Sequence, residues 1–199
     1  MLVTDFKAVY ICPDHNEKYH NRKEHMETLL KTVGFTQIEH YKSGTENYPE
    51  CLMEANMNIL KNNLDIPVII FEDDIEWNGI KEIEFKPEYD AIYLGLSKSA
   101  GHPTENHSNG DSEFTELSKT QVRVINMLSL HAKLIISRKY KEAIIDIFEK
   151  NKNQKYYNDV LISRIQKDFF IVAEKKPLFF QSDKFNECEV ESRTNFIIE

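Results

Sequence analysis

Ile66-Pro67-Val68-Ile69-Ile70-Phe71-Glu72-Asp73-Asp74 is the stretch on which the reading of the whole chain turns. Its apolar part is short, continuous and rich in Val and Ile, the pattern of a strand buried on both faces inside a parallel sheet. It runs without a break into three carboxylates. In open α/β sheets ligands gather outside the carboxyl ends of the strands, so these side chains are expected at a cleft. Crowded carboxylates repel one another unless something neutralises them. A hard divalent cation with oxygen ligands, itself bound to phosphate, meets that need. A strand running into a solvated acidic turn is the simpler alternative.

Upstream, residues 7–12 form a first strand stopped by Pro13, and 14–21 a polar loop. A helix follows, capped by Asn21, with Met26, Leu29, Leu30 and Val33 at i, i+3, i+4 and i+7. Gly34 stands where a C-terminal cap belongs, and 35–41 alternates as a second strand. Pro49 suits the first turn of a second helix, whose inward face is Leu52, Ala55, Ile59 and Leu60 and which ends at Asn62-Asn63. The order β-α-β-α-β favours a parallel, right-handed arrangement.

Downstream, 77–87 is irregular and 90–95 is another short buried-type strand. The aperiodic stretch 97–112 reads as a flexible lid or a disordered loop. Residues 121–130 and 132–136 look like strands of a mixed sheet. Ser137 caps a helix with Tyr140, Ile144, Ile147 and Phe148 on one face, and 156–165 is a short helix. Residues 169–173 and 178–181 are strand-like, and the tail from Ser182 is polar. The expected fold is α/β, a mixed and mainly parallel sheet flanked by helices.

The 199 residues suit one domain, and 41% hydrophobic content is enough for a core. A net charge of −8 argues against a nucleic-acid partner, which needs clustered Lys and Arg. Cys12, Cys51 and Cys188 are odd in number and lack CxxC spacing, which fits free thiols in a reducing compartment and not a zinc site. Neither a signal peptide nor a transmembrane run is visible, so the expected localisation is cytoplasmic.

Several chemistries are excluded by pattern. A receiver domain needs its acidic pair after the first strand and an acceptor Asp two strands later, whereas here the acids end the third. A phosphatase of the Asp-x-Asp-Gly-Thr type fails because Ile75-Glu76 follows Asp73-Asp74. GxGxxG, GxxxxGK[ST] and a nucleophile elbow are all missing.

The order of the remaining blocks resembles glycosyltransferase family 25, the lipopolysaccharide and collagen galactosyltransferases. Val9-Tyr10-Ile11 followed by Asn21-Arg22-Lys23-Glu24-His25-Met26 is similar to the family's opening. Glu50-Cys51-Leu52-Met53, the stretch Pro67 to Ile75, and Tyr89-Asp90-Ala91-Ile92-Tyr93-Leu94-Gly95 resemble its next blocks. His131-Ala132-Lys133-Leu134-Ile135-Ile136-Ser137 and Asn158-Asp159-Val160-Leu161 complete the series, which covers residues 7 to about 165. The family usually carries Ser-His where this chain has Glu54-Ala55, and the loop between Ile11 and Arg22 is longer than usual.

The resemblance implies a GT-A fold and metal-dependent transfer of a sugar from a nucleotide-diphosphate donor, a UDP-sugar by expectation, to a glycan acceptor. Residues 1–95 would then be the nucleotide-binding half, 96–181 the acceptor side and 182–199 a tail, in a domain that further domains of a longer chain could accompany. Mn²⁺ or Mg²⁺ held by acidic side chains stabilises a leaving diphosphate. Asp74 is the expected metal ligand, joined by Glu72, while Asp73 or Glu72 orients the ribose or a ligating water. His131 is a further metal or phosphate contact, or else a structural histidine. Arg22 meets phosphate or nucleobase, or pairs with Glu24 or Glu27. Ile11, Cys12, Pro13, Tyr41 and Ser43 end the first two strands and are placed to line the base and ribose pocket.

Asp159 is the candidate base for the acceptor hydroxyl, its alternative role being helix capping; Asp111, Glu113 and Glu116 are substitutes. Trp77 and Tyr93 stack on a sugar or belong to the core. The competing expectation is a catalytically silent domain that binds a nucleotide sugar or a protein partner.

Overall fold

The structure, a computed structural model, describes residues 1–128, 130–186 and 189–199; Cys188 and the free thiol expected there lie outside them. The first half runs β1 (Lys7–Cys12), α1 (Glu17–Val33), β2 (Ile38–Lys42), α2 (Glu50–Asn62), β3 (Val68–Phe71), β4 (Ile75–Trp77) and β5 (Ala91–Tyr93). There follow β6 (Ser99–Gly101), β7 (Ser108–Asp111), β8 (Glu113–Glu116), β9 (Gln121–Asn126), β10 (Ala132–Ile135), α3 (Arg138–Lys150), α4 (Asn158–Ser163), β11 (Ile171–Glu174), β12 (Phe179–Gln181) and α5 (Glu191–Thr194).

The main sheet has eight strands in the order β2-β1-β3-β10-β5-β11-β9-β8. β1 pairs in parallel with both β2 and β3, and β5 with β11; β9 and β10 run against the other strands. The sheet is thus mixed, mainly parallel in direction, and covered by helices on both faces.

Strand alternation assigns the faces. Ala8, Tyr10 and Cys12 of β1 pack with Met26, Leu30 and Val33 of α1, while Val9 and Ile11 pack with Met53, Ile59 and Leu60 of α2. β3 repeats the pattern: Ile69 and Phe71 face the α1 side, Val68 and Ile70 the α2 side, where Tyr140, Ile144 and Phe148 of α3 join them. Each such buried side chain contributes about 1.5–3 kcal/mol relative to exposure. Burying an unpaired charge is costly, and β3 is apolar and buried along its whole length; the acids begin only where it leaves the core.

Lys141 of α3 is fully buried and donates to the carbonyls of Asn63, Leu64 and Ile66 at 2.7, 3.3 and 2.5 Å. It anchors the turn that feeds β3.

Three expectations need correction, and the polar tail proves to be packed on the domain. The first helix begins at Glu17, because Asn16 and not Asn21 accepts from the Tyr19 backbone N–H; its first turn is polar and sends no periodic signal. Gly34 does close it, at φ 105° in the left-handed region that favours glycine. Residues 97–112 contain the antiparallel pair β6–β7. β4, expected to be irregular from Trp77 and unannounced before it, pairs with β12 in a separate two-stranded sheet. The polar tail is also folded: Asn195 bonds Asn78, and the Ile198 N–H donates to Lys175. Among the described residues no helix is long and apolar enough to cross a membrane.

Candidate active site

The acidic triplet leaves the end of β3 between two adjoining cavities. One, of about 400 Å³, is lined by Ile11, Pro13, Arg22, Ser43, Asp73 and Asp74. The other, of about 490 Å³, is lined by Asp159, His131, Asn158, Tyr157 and His107 among others. Glu72, Tyr48, Leu52 and Gln181 face both. Residues far apart in sequence thus meet where the sheet's carboxyl ends open.

The three acids are not equivalent. Asp73 Oδ1 accepts from Arg22 Nη1 at 2.7 Å, and each side chain is 12% exposed. Arg22 Nη2 also donates to the Phe185 carbonyl, and the guanidinium lies over the Phe185 ring. Arg22 therefore pairs with neither Glu24 nor Glu27 among the described residues; it neutralises Asp73 from within the chain.

Asp74 lacks that relief. Its Oδ2 accepts from Asn186 Nδ2 at 3.1 Å, but buried Oδ1 has no hydrogen-bond partner among the described residues. Burial, reinforced by Asp73, pushes its carboxyl above the usual range, against the pull of the Asn186 bond. Gln181 Nε2 sits 3.4 Å from Glu72 Oε2 and 3.5 Å from Asp74 Oδ2, at the limit of hydrogen bonding, and so spans the two. Burial and then the Asp74 charge push Glu72 up to about 8. A buried carboxylate oxygen without a donor, beside a second acid, is a donor set that fits a hard cation.

Beneath the second cavity lies Lys133 of β10, fully buried, its Nζ 3.3 Å from the Leu130 carbonyl. Burial brings it down to about 8 while Glu72 and Asp159 pull it up. Asp159 Oδ1 accepts from the Val160 N–H at 2.8 Å, and burial raises its carboxyl.

Other expected residues lie elsewhere. The Cys12 side chain turns to the α1 face, its Sγ near the Pro13 and Tyr19 carbonyls; burial, then Asp73, raises the thiol. Tyr41 packs against the α2 side of the core and accepts from Asn58 at 2.9 Å, away from the cavity lining. His131 reaches the second cavity, but its ring is packed over Gly95, where a Cβ would come within 1.9 Å of Nε2. Burial lowers it to about 4. Among the described residues, Glu72, Asp74 and His131 do not gather three donor atoms within 4.8 Å; His102, Glu105 and His107 do. In that trio His102, half-buried, already accepts at Nδ1 from the Glu105 and Thr104 N–H groups, which makes it a lock on the β6–β7 turn. Tyr93 is core, bonded to Tyr140, and Trp77 packs against the α1-side core. Asp111, Glu113 and Glu116 line neither cavity.

Gln181, Asn186, Phe185, Tyr48 and Lys133 were not foreseen as site residues. Only Lys133 carried a signal, a lone cation inside an apolar strand.

No protein-family model matches this chain, and no curated protein sequence matches it. Solved structures do. A UDP-glucose pyrophosphorylase complexed with UDP-glucose superposes with a TM-score of 0.50 at 10% identity, over 84% of this chain and 72% of that one. A glycosyltransferase involved in glycosylation of the major capsid of PBCV-1 gives 0.41 at 9% identity, over 74% and 67%. A197 from STIV gives 0.46 at 11% identity, over 98% and 95%. The first of these shows that the chain shares the mixed α/β fold of that pyrophosphorylase.

Proposed function

We propose that the chain is a metal-dependent glycosyltransferase of the family 25 type, moving a sugar from a nucleotide-diphosphate donor to a glycan acceptor. The observation that carries this reading is Asp74: a buried carboxylate whose Oδ1 has no hydrogen-bond partner among the described residues, lining a cavity at the carboxyl end of a parallel strand. UDP is the favoured nucleotide because a structure of like fold is complexed with UDP-glucose.

On this reading Ile11, Pro13 and Ser43 receive the base and ribose in the first cavity. Asp74 and Glu72 would hold Mn²⁺ or Mg²⁺, which would supply positive charge to a departing diphosphate. One or two carboxylates suffice, since substrate phosphates and water complete such shells. Arg22 pairs with Asp73 and fixes its position. Asp159, across Glu72 in the second cavity, accepts the proton of the acceptor hydroxyl as that oxygen bonds to the anomeric carbon and the sugar–phosphate bond breaks. Its raised proton affinity suits a general base.

The test is thermal stability against UDP-, GDP- and dTDP-sugars with Mn²⁺. A ligand that binds only the folded state raises the melting temperature by mass action. A shift with one nucleotide class together with donor hydrolysis supports the transferase; a shift without turnover identifies a silent binding domain. No shift with any donor refutes both.

A further inference from the structure

The second cavity has features that donor chemistry does not use. Asn158 lines it, is 3% exposed, and neither its Oδ1 nor its Nδ2 has a hydrogen-bond partner among the described residues. A buried amide left unpaired is costly unless something else supplies both an acceptor and a donor. Tyr48 and Tyr157, 62% and 44% exposed, stand at the mouth with ring centroids 6.2 Å apart. The acidic and imidazole lining groups are Glu72, Asp159, His131, which burial lowers to about 4, and His107, already held by Glu105 at 2.7 Å; no Lys or Arg lines the cavity among the described residues.

We infer that this cavity is a subsite for a neutral pyranose, with Asn158 as the residue that reads its hydroxyls. Each sugar hydroxyl both donates and accepts, so two neighbouring hydroxyls satisfy the amide's nitrogen and oxygen together. The apolar C–H face of the ring covers the tyrosines, which combine an apolar body with a polar tip. Phosphorylated or uronic sugars find no Lys or Arg to pair with among the described lining residues. A volume of about 490 Å³ falls within the ordinary span of small-molecule sites. This inference rests on the transferase reading for the sugar's role as acceptor, but not for its binding.

Saturation-transfer NMR on the full chain, with and without UDP and Mn²⁺, tests it. The probes are methyl β-galactopyranoside, methyl β-glucopyranoside, glucose 6-phosphate and glucuronate. At least one neutral glycoside is expected to bind saturably in one of the two states, and the two anionic sugars at least about tenfold more weakly. Asn158→Ala and Tyr157→Ala are each expected to weaken the glycoside by about tenfold; Tyr157→Ala, at the surface, decides the matter if Asn158→Ala does not fold. Equal or tighter binding of the anionic sugars, unchanged binding in the variants that fold, or no glycoside binding in either state overturns the subsite. The UDP-induced thermal shift is read on the same samples. Its absence with glycoside binding intact would sink the donor reading and leave the subsite standing.

Discussion

Arg22 Nη1 stands 2.7 Å from Asp73 Oδ1, joining α1 to the end of β3, 51 positions apart in the chain. This pair sorts the acidic triplet into one carboxylate neutralised by the protein and two that look for charge elsewhere.

Because both partners are largely shielded from water, removing only the cation leaves a buried charge behind. Arg22→Met is expected to cost about 2–3 kcal/mol in urea denaturation. Arg22→Met/Asp73→Asn should recover a good part of that loss, as coupled neighbours do. Additive losses would show that the pair is not an energetic unit.

Glu72 makes the free protein pH-sensitive. Its folded-state value, about 8, lies above its ordinary 4.5. Stability from this group is therefore full below about 4.5 and lost as pH rises through about 8. The metal-free melting temperature should fall over that window, and Glu72→Gln should flatten the fall and add about 2–4 °C at pH 8. With Mn²⁺ and UDP present the order of the two proteins should reverse. A wild-type profile parallel to that of Glu72→Gln contradicts the placement of this acid.

For Asp159 the expected signature is kinetic. Asp159→Asn should lower kcat by about 10²- to 10⁴-fold with little change in donor KM. Since burial raises the carboxyl, the acid limb of the wild-type pH–rate profile should lie above the usual carboxylate range. A variant that keeps its full rate would reduce Asp159 to a helix-start residue.

Lys141 separates fold from chemistry. Three carbonyls converge on its buried ammonium at the turn into β3. Lys141→Met should cost about 2–4 kcal/mol in denaturant unfolding. Nucleotide-induced stabilisation should be retained well below the new melting point.

Much of the first half could be read from sequence because each element announces itself. β1 and β3 are unbroken apolar runs, Gly34 ends α1 and Pro49 opens α2. The lining of the two cavities was readable at Ile11, Pro13, Arg22, Ser43, Glu72, Asp73, Asp74, His131 and Asp159. Contacts from the far end of the chain were not. Gln181 approaches Asp74 across 107 positions from the end of β12, and Asn186 across 112 from a polar segment with no periodicity. β4 has three residues, too few for alternation to register. Tyr41 misled because a strand-end aromatic suits either a pocket or a core, and only packing against α2 decides between them.

Asp74 carries the central claim, and Mn²⁺-dependent hydrolysis of a nucleotide-sugar donor by Asp74→Ala tests it most directly. Loss of hydrolysis, and of the Mn²⁺-dependent thermal shift, in a variant that still folds is the expected result. Mn²⁺-dependent hydrolysis at the wild-type rate would contradict it.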